Sequence, residues 1–399
     1  MIKKVRMQVM LFRACLIGVC LVDYVQAAYG PEDIFKLTAD VAYQYDSNTF
    51  KLDENKDNLQ TDKHKKKSDS KLETRLGASL DLVLSRQLVN VVADVNQINY
   101  SNFTDLNRNE WGVNLIWNWV VGSIATGQLR TSTSTRMASF EDSILGSNSN
   151  SVLDMQRQNS INWQGALQLK STIAILGSAI VSTEQHDIKN YIDAKNEMAS
   201  IGLRYSSIKG NYISVKHSWR KYVYDQDLFF RAGFTEQITS LDLAYAPDSK
   251  VDINASLGMS RWVSDFNNEK KYTPQGDLGL LWRVTDKTQL RFSYGEKFAE
   301  FTSGAGRNLD QYMNFNARWN MSEKINWNLD FNQRNRSIQV AGSKSSSEEE
   351  TNSARLSVGY KALQQLTINS YLQTEKRNSS SNNADYKYYQ IGLNATLVY

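Results

Sequence analysis

Residues 325–332 read Ile-Asn-Trp-Asn-Leu-Asp-Phe-Asn, a pattern that few folds accept. A β-strand sends successive side chains to opposite faces, so Ile325, Trp327, Leu329 and Phe331 share one face and Asn326, Asn328, Asp330 and Asn332 the other. The same period runs through Leu37–Tyr45, Leu72–Leu82, Val89–Val95, Trp111–Trp119 and Ile161–Leu169. It ends on Tyr389, Ile391, Leu393, Ala395, Leu397 and Tyr399, which alternate with Gln390, Gly392, Asn394, Thr396 and Val398. A soluble sandwich or β-helix would carry Gly/Pro-rich turns at regular spacing or a fixed short repeat, and neither is present.

The punctuation between these segments is unequal. Short turns fall near Arg86, Gly122, Ser171, Lys209, Pro247-Asp248-Ser249, Thr285-Asp286, Met321-Ser322-Glu323 and Leu363. Between them lie longer polar stretches: 47–70, 102–108, 137–155, 187–196, 225–233, 264–271, 301–308, 339–350 and 377–385. Short and long alternate strictly, the layout of an outer-membrane barrel with short periplasmic turns and longer extracellular loops. The expected fold is all-β: a transmembrane antiparallel up-and-down β-barrel over residues 35–399, with about 18 strands. Sixteen strands is the alternative, because 173–187 is ambiguous in phase. With only 3 Pro against 20 Tyr, 14 Phe and 9 Trp, the composition suits long uninterrupted strands.

Lys3, Lys4 and Arg6 precede a largely apolar stretch from Met7 to Val22, and Val25-Gln26-Ala27 supplies a small-residue cleavage pattern. Residues 1–27 are therefore expected to be a cleaved signal peptide, and 28–34 a periplasmic segment. Cys15 and Cys20, the only cysteines, both lie in that leader, so no disulfide or thiol chemistry is expected of the barrel. Beyond the leader no apolar run approaches about 20 residues, which excludes helical membrane spans. A net charge of +4, with no basic blocks interleaved with aromatics, gives no reason to expect nucleic acid.

The outward face of such a barrel is apolar with aromatic girdles, for which Trp111, Trp119, Trp262, Trp282, Trp319 and Trp327 are candidates. The inward face is expected to line a pore with Asp40, Arg75, Asp81, Asp94, Arg204, Arg283, Arg291, Arg318, Asp330, Arg334, Arg336 and Arg355. Either these arginines pair with luminal carboxylates, or some stay unpaired and favour anions, since a guanidinium fork matches carboxylate geometry. Arg→Ala changes at 291, 318 and 334 test the second possibility. Catalysis is not expected. His217 is followed by Ser218, which faces the other side, and Asp225 and Asp227 have no His beside them in sequence. No metal-ligand spacing or nucleotide loop appears, so neither metal nor cofactor is expected.

The segment Leu37–Leu52, with its turn Asp46-Ser47-Asn48-Thr49-Phe50-Lys51, resembles the opening strand of the EpsL-type outer-membrane proteins of exopolysaccharide operons. Asn99–Phe103, Asn109–Gly112 and Gly202–Tyr205 are similar in the same diffuse way. The resemblance implies an outer-membrane component through which a secreted polysaccharide leaves the cell, with polysaccharide-export partners, and it carries no catalytic residue. The alternatives are a general or anion-preferring porin for small solutes and a loop-displaying adhesin or structural barrel. The expected surroundings are the outer membrane with its lipopolysaccharide. Tyr389, Leu397 and Tyr399 are expected to present the assembly signal to the barrel-assembly machinery.

Overall fold

The computed structural model describes residues 34–53, 67–138, 153–226, 233–265, 268–299, 307–339, 346–380 and 385–399. The expected leader, most of segment 28–34, the middles of the stretches 47–70 and 137–155, and Asp227 lie outside these residues. Eighteen strands follow one another: β1 Phe35–Asp46, β2 Asp69–Leu84, β3 Gln87–Tyr100, β4 Arg108–Val121, β5 Ala125–Met137, β6 Met155–Lys170, β7 Ile173–His186, β8 Ala194–Ser206 and β9 Tyr212–Tyr224 in the first half. The second half holds β10 Phe234–Tyr245, β11 Val251–Ser264, β12 Lys270–Thr285, β13 Thr288–Ala299, β14 Arg307–Asn320, β15 Ile325–Gln339, β16 Ser346–Lys361, β17 Leu366–Ser379 and β18 Tyr386–Val398.

Each strand pairs antiparallel with its sequence neighbours, and β1 also pairs with β18, so the sheet has no edge. In hydrocarbon an unpaired backbone amide costs several kcal/mol, and closure removes that cost. The seam is continuous: Leu37 and Tyr399 exchange backbone hydrogen bonds, and Ser47 N–H donates to Tyr389 O at 3.0 Å. Across it Thr396 faces Asp40, Asn394 faces Ala42 and Gln390 faces Asp46. Eighteen strands about 4.8 Å apart and tilted by ~40° make a cylinder roughly 36 Å across at the backbone, too wide for side chains to fill.

The short turns are built as their residues dictate. Gly122 and Gly210 take φ of 59° and 86°, the left-handed region where a Cβ is unfavourable. Asp248 Oδ1 accepts from the N–H groups of Lys250 and Val251 at 2.7 and 2.9 Å. The ambiguous segment 173–187 is strand β7. Its phase is obscured by a register shift between Gln168 and Lys170, and by Leu176 and Ile180, which pair with the inward residues Ala166 and Asn162.

The outward face is apolar and exposed, from Leu76 and Val95 through Ile201 and Leu257 to Ile391 and Leu393. Buried side chains gather instead on the inner wall at the long-loop end, in two clusters. One contains Phe50, Ile98, Tyr100, Phe103 and Leu106. The other contains Ala194, Tyr222, Tyr224, Phe234 and Trp262, with Ile338 packed against it. Trp262 is thus not a girdle residue. It pairs with Glu236 on the inner face and is 6% exposed. Near the strand tips the outside is water and the inside packs against loops, so the apolar face switches sides.

Candidate functional site

Registers place all twelve charged residues named above on the inner face. One cross-strand row runs Arg291–Asn316–Asp330–Arg355, and the next runs Arg283–Gln289–Arg318–Asn328. A third pairs Tyr312 with Arg334, and a fourth Asp310 with Arg336. On the other side of the barrel Asp40 faces Arg75, Gly77 faces Asp94, Asp81 faces Asn90, and Arg204 faces Ala174 and Ser214.

These charges fall into two groups. In the first, acids and bases neutralise one another. Arg336 grips Asp310 with both Nε and Nη2, at 2.7 and 2.9 Å. Arg283 Nη2 reaches Asp252 Oδ2 at 2.6 Å, and Arg75 Nε lies 3.9 Å from Asp94 Oδ2. Asp81 is met by Lys36 Nζ at 3.5 Å and Asn90 Nδ2 at 2.6 Å. Asp40 stands apart, held by a neutral donor, Thr396 Oγ1, across the seam.

The second group consists of inner-wall arginines with no carboxylate within 4 Å among the described residues: Arg130, Arg136, Arg204, Arg291, Arg318, Arg334 and Arg355. Of these, Arg130, Arg136, Arg291, Arg318 and Arg355 are exposed. The reason is local. Asp330 lies directly opposite Arg355 in register, yet its oxygens accept from the amides of Asn316, at 2.7 Å, and Asn328. Neutral donors satisfy the acid, and the guanidinium is left to stack 3.8 Å over the Tyr371 ring and reach Gln373 Oε1 at 3.4 Å. Arg204 lies 5.8 Å over Tyr212, and Arg318 Nε donates to Asn320 Oδ1 at 3.3 Å. Positive charge therefore survives along β13–β16, one residue per strand, beside the amides of Asn314, Asn316 and Asn328.

Tyr371 owes its position to Gly392. A Cβ at Gly392 would clash with Tyr371 Cε1, so the ring lies against the β18 backbone, and its hydroxyl donates to Gln44 Oε1 at 2.9 Å on β1. Gly392→Ala is expected to lift the ring off this shelf and lower stability by about 1–3 kcal/mol, the usual cost of overpacking. The midpoint of urea unfolding in phospholipid vesicles checks it. An unchanged midpoint contradicts the shelf.

The turn Asp46–Lys51 has a structural role. Asp46 Oδ1 accepts from Asn48 N–H at 2.8 Å, and Asp46 Oδ2 from Gln390 Nε2 at 2.7 Å. Buried Asn48 donates to Leu52 O and Lys387 O at 2.8 and 3.2 Å and accepts from Leu52 N–H at 3.0 Å. Phe50 enters the first aromatic cluster, and Lys51 Nζ reaches Glu375 at 3.4 Å. These residues tie the first loop to the last strand.

Known structures agree with this architecture. OpdK from Pseudomonas aeruginosa superposes with a TM-score of 0.50 at 10% identity, over 92% of this chain and 99% of that one, and has also been solved with vanillate. OccK9 (OpdG) from Pseudomonas aeruginosa matches at 0.50 and 8%, over 92% of this chain and 98% of that one. OccAB4 from Acinetobacter baumannii matches at 0.50 and 10%, over 92% and 99%. The fold is that of an outer-membrane porin barrel. No family model matches the sequence, and no curated protein matches it.

Tyr389, Leu397 and Tyr399 all lie on the outward side of the seam, and Tyr389 packs beside Tyr45 with ring centroids 5.9 Å apart. His217 faces outward and Ser218, 4% exposed, faces inward, so the two cannot act on one substrate. Sequence reasoning missed Arg130 and Arg136, because β5 reads Thr-Ser-Thr-Ser-Thr between them and is polar on both faces. It placed Asn328 and Asp330 on the inward face but missed that Asn316 and Asn328 both donate to Asp330, since those amides look like ordinary inward positions.

Proposed function

We propose that the chain is an outer-membrane channel for small hydrophilic solutes, with a preference for anions. The observation that carries this reading is the set of exposed arginines on the inner wall with no carboxylate near them, above all Arg291, Arg318 and Arg355. A guanidinium in a water-filled lumen attracts anions and offers carboxylates a bidentate partner. The neighbouring asparagine amides add neutral hydrogen-bond donors and acceptors. The fold shared with OpdK, which binds vanillate, makes small carboxylates the first solutes to try. The C-terminal strand, with Tyr389, Leu397 and Tyr399 on its outward face, is read as the segment presented to the barrel-assembly machinery.

Export of a secreted polysaccharide is the second reading. It rests on the resemblance of 37–52 and the fainter likeness of 99–103, 109–112 and 202–205; in the turn 46–51, Asp46 and Asn48 bind the last strand. No comparison adds to it.

The two readings diverge in liposome swelling with the reconstituted protein. Small carboxylates are expected to enter faster than neutral sugars of equal size. Equal rates for both would sink the anion preference. A deletion strain that loses its surface polysaccharide would restore the export reading; one that keeps it removes that reading.

A further inference from the structure

Among the described residues, one pair of exposed inner-wall arginines without a carboxylate stands side by side. Arg291 on β13 lies opposite Asn316 on β14, and Gln289, two residues earlier, lies opposite Arg318. The four inward residues form a square, with guanidinia at two opposite corners and amides at the other two. Diagonal neighbours of this kind are roughly 7–8 Å apart, so two like charges share one patch of the lumen. Gln289 follows Thr288, the first residue of β13, which puts the square at the short-turn end of the barrel.

The wall itself does not neutralise this pair. Arg291 makes no hydrogen bond, ion pair or ring contact with a described residue, and Arg318 spends only its Nε, on Asn320 Oδ1. The cross-strand row through Arg291 carries an acid two strands away on each side, Asp252 and Asp330. Both are committed. Asp252 is held by Arg283 Nη2 at 2.6 Å, and Asp330 by the amides of Asn316 and Asn328. From β11 to β16 this row and the one below it hold Arg283, Arg291, Arg318 and Arg355 against Asp252 and Asp330, which leaves two positive charges.

A carboxylate monoanion accepts one guanidinium fork and leaves the second charge unmet. A phosphate monoester has three terminal oxygens and carries close to two charges at pH 7, so it can accept a fork from each arginine and a further bond from Gln289. We propose that this square holds solutes through a phosphate dianion, as free phosphate or as a phosphate monoester. The proposal rests on the anion-channel reading above and names the anion. Arg355 lies three strands along the row from Arg291, roughly 14 Å away, and stacks on Tyr371, so it adds to the field without touching the ligand.

Single channels in planar bilayers at about 0.1 M KCl test this, with glycerol phosphate as probe and acetate as control. Glycerol phosphate is expected to halve the chloride current at a concentration about tenfold below that of acetate. Arg291→Gln and Arg318→Gln each raise that concentration about tenfold, whereas Arg355→Gln changes it less than about twofold. Arg291→Lys, which keeps the charge and loses the fork, also weakens the block. Lowering the pH through the second phosphate ionisation near ~6 weakens block by the probe and leaves that by acetate almost unchanged. Equal half-blocking concentrations for the two anions, or equal effects at 291 and 355, overturn the proposal. Chloride-over-potassium selectivity of the unmodified protein in the same bilayers separates this site from the channel reading. If it is present, the anion channel stands whatever the probe does; if it is absent, both fall.

Discussion

Replacing Arg291, Arg318 and Arg355 together by Ala is expected to abolish anion preference in planar bilayers. Reversal potentials in a KCl gradient read it. Each guanidinium about 4 Å from a passing ion contributes about 1 kcal/mol even in a water-like dielectric, roughly fivefold in the chloride-to-potassium permeability ratio. Three such charges, on β13, β14 and β16, change the ratio more than tenfold, provided ionic strength is kept near 0.1 M, where the screening length is ~10 Å. At 1 M salt that length falls to ~3 Å and the same substitutions lose most of their effect. Arg→Lys at the three sites separates charge from geometry. Lysine keeps the field and so the chloride preference, but loses the bidentate fork, so small carboxylates lose their advantage over chloride. A triple Ala variant with the parent's reversal potential at low salt would remove the basis of the proposed function.

The fold was open to a sequence reading because a barrel wall writes its two solvents into alternate residues. β15 shows this most plainly, with Ile325, Trp327, Leu329 and Phe331 toward lipid and Asn326, Asn328, Asp330 and Asn332 toward the lumen. Turn and loop lengths set the strand order, and the closing pair β1–β18 follows from an even strand number. Legibility fails where the solvents change. At the tip of β11 an inward Trp262 and an outward Arg261 reverse the usual sense, because the strand has left the hydrocarbon. It fails again for charge pairing. Asp330 and Arg355 are opposite in register, and a sequence reading would join them. Whether they join depends on two asparagine amides, Asn328 two residues along the same strand and Asn316 opposite on β14, which no periodicity encodes. Which arginines line the wall was readable; which of them stay unpaired was not.

The contrasting prediction concerns Arg336, whose removal should damage the barrel rather than its selectivity. The Arg336 and Asp310 side chains are only 14% and 8% exposed, so both charges are largely out of water. Removing one partner leaves the other buried and uncompensated, which typically costs 3–5 kcal/mol, against about 0–1 kcal/mol for an exposed pair. Arg336→Ala is accordingly expected to lower stability by about 3 kcal/mol, read as a fall in the urea midpoint in vesicles. Arg283→Ala, whose pair with Asp252 is 38% and 35% exposed, should move that midpoint by less than about 1 kcal/mol. The double change Arg336→Met with Asp310→Leu decides the cause, since it removes both charges while keeping apolar volume and should recover most of the loss. If the double variant is as unstable as Arg336→Ala, the fault lies in packing around Asn308 and Ile338, not in an orphaned carboxylate. Burial thus separates Arg336, which holds the mouth together, from the exposed Arg291, Arg318 and Arg355, which have no carboxylate beside them and can meet a solute.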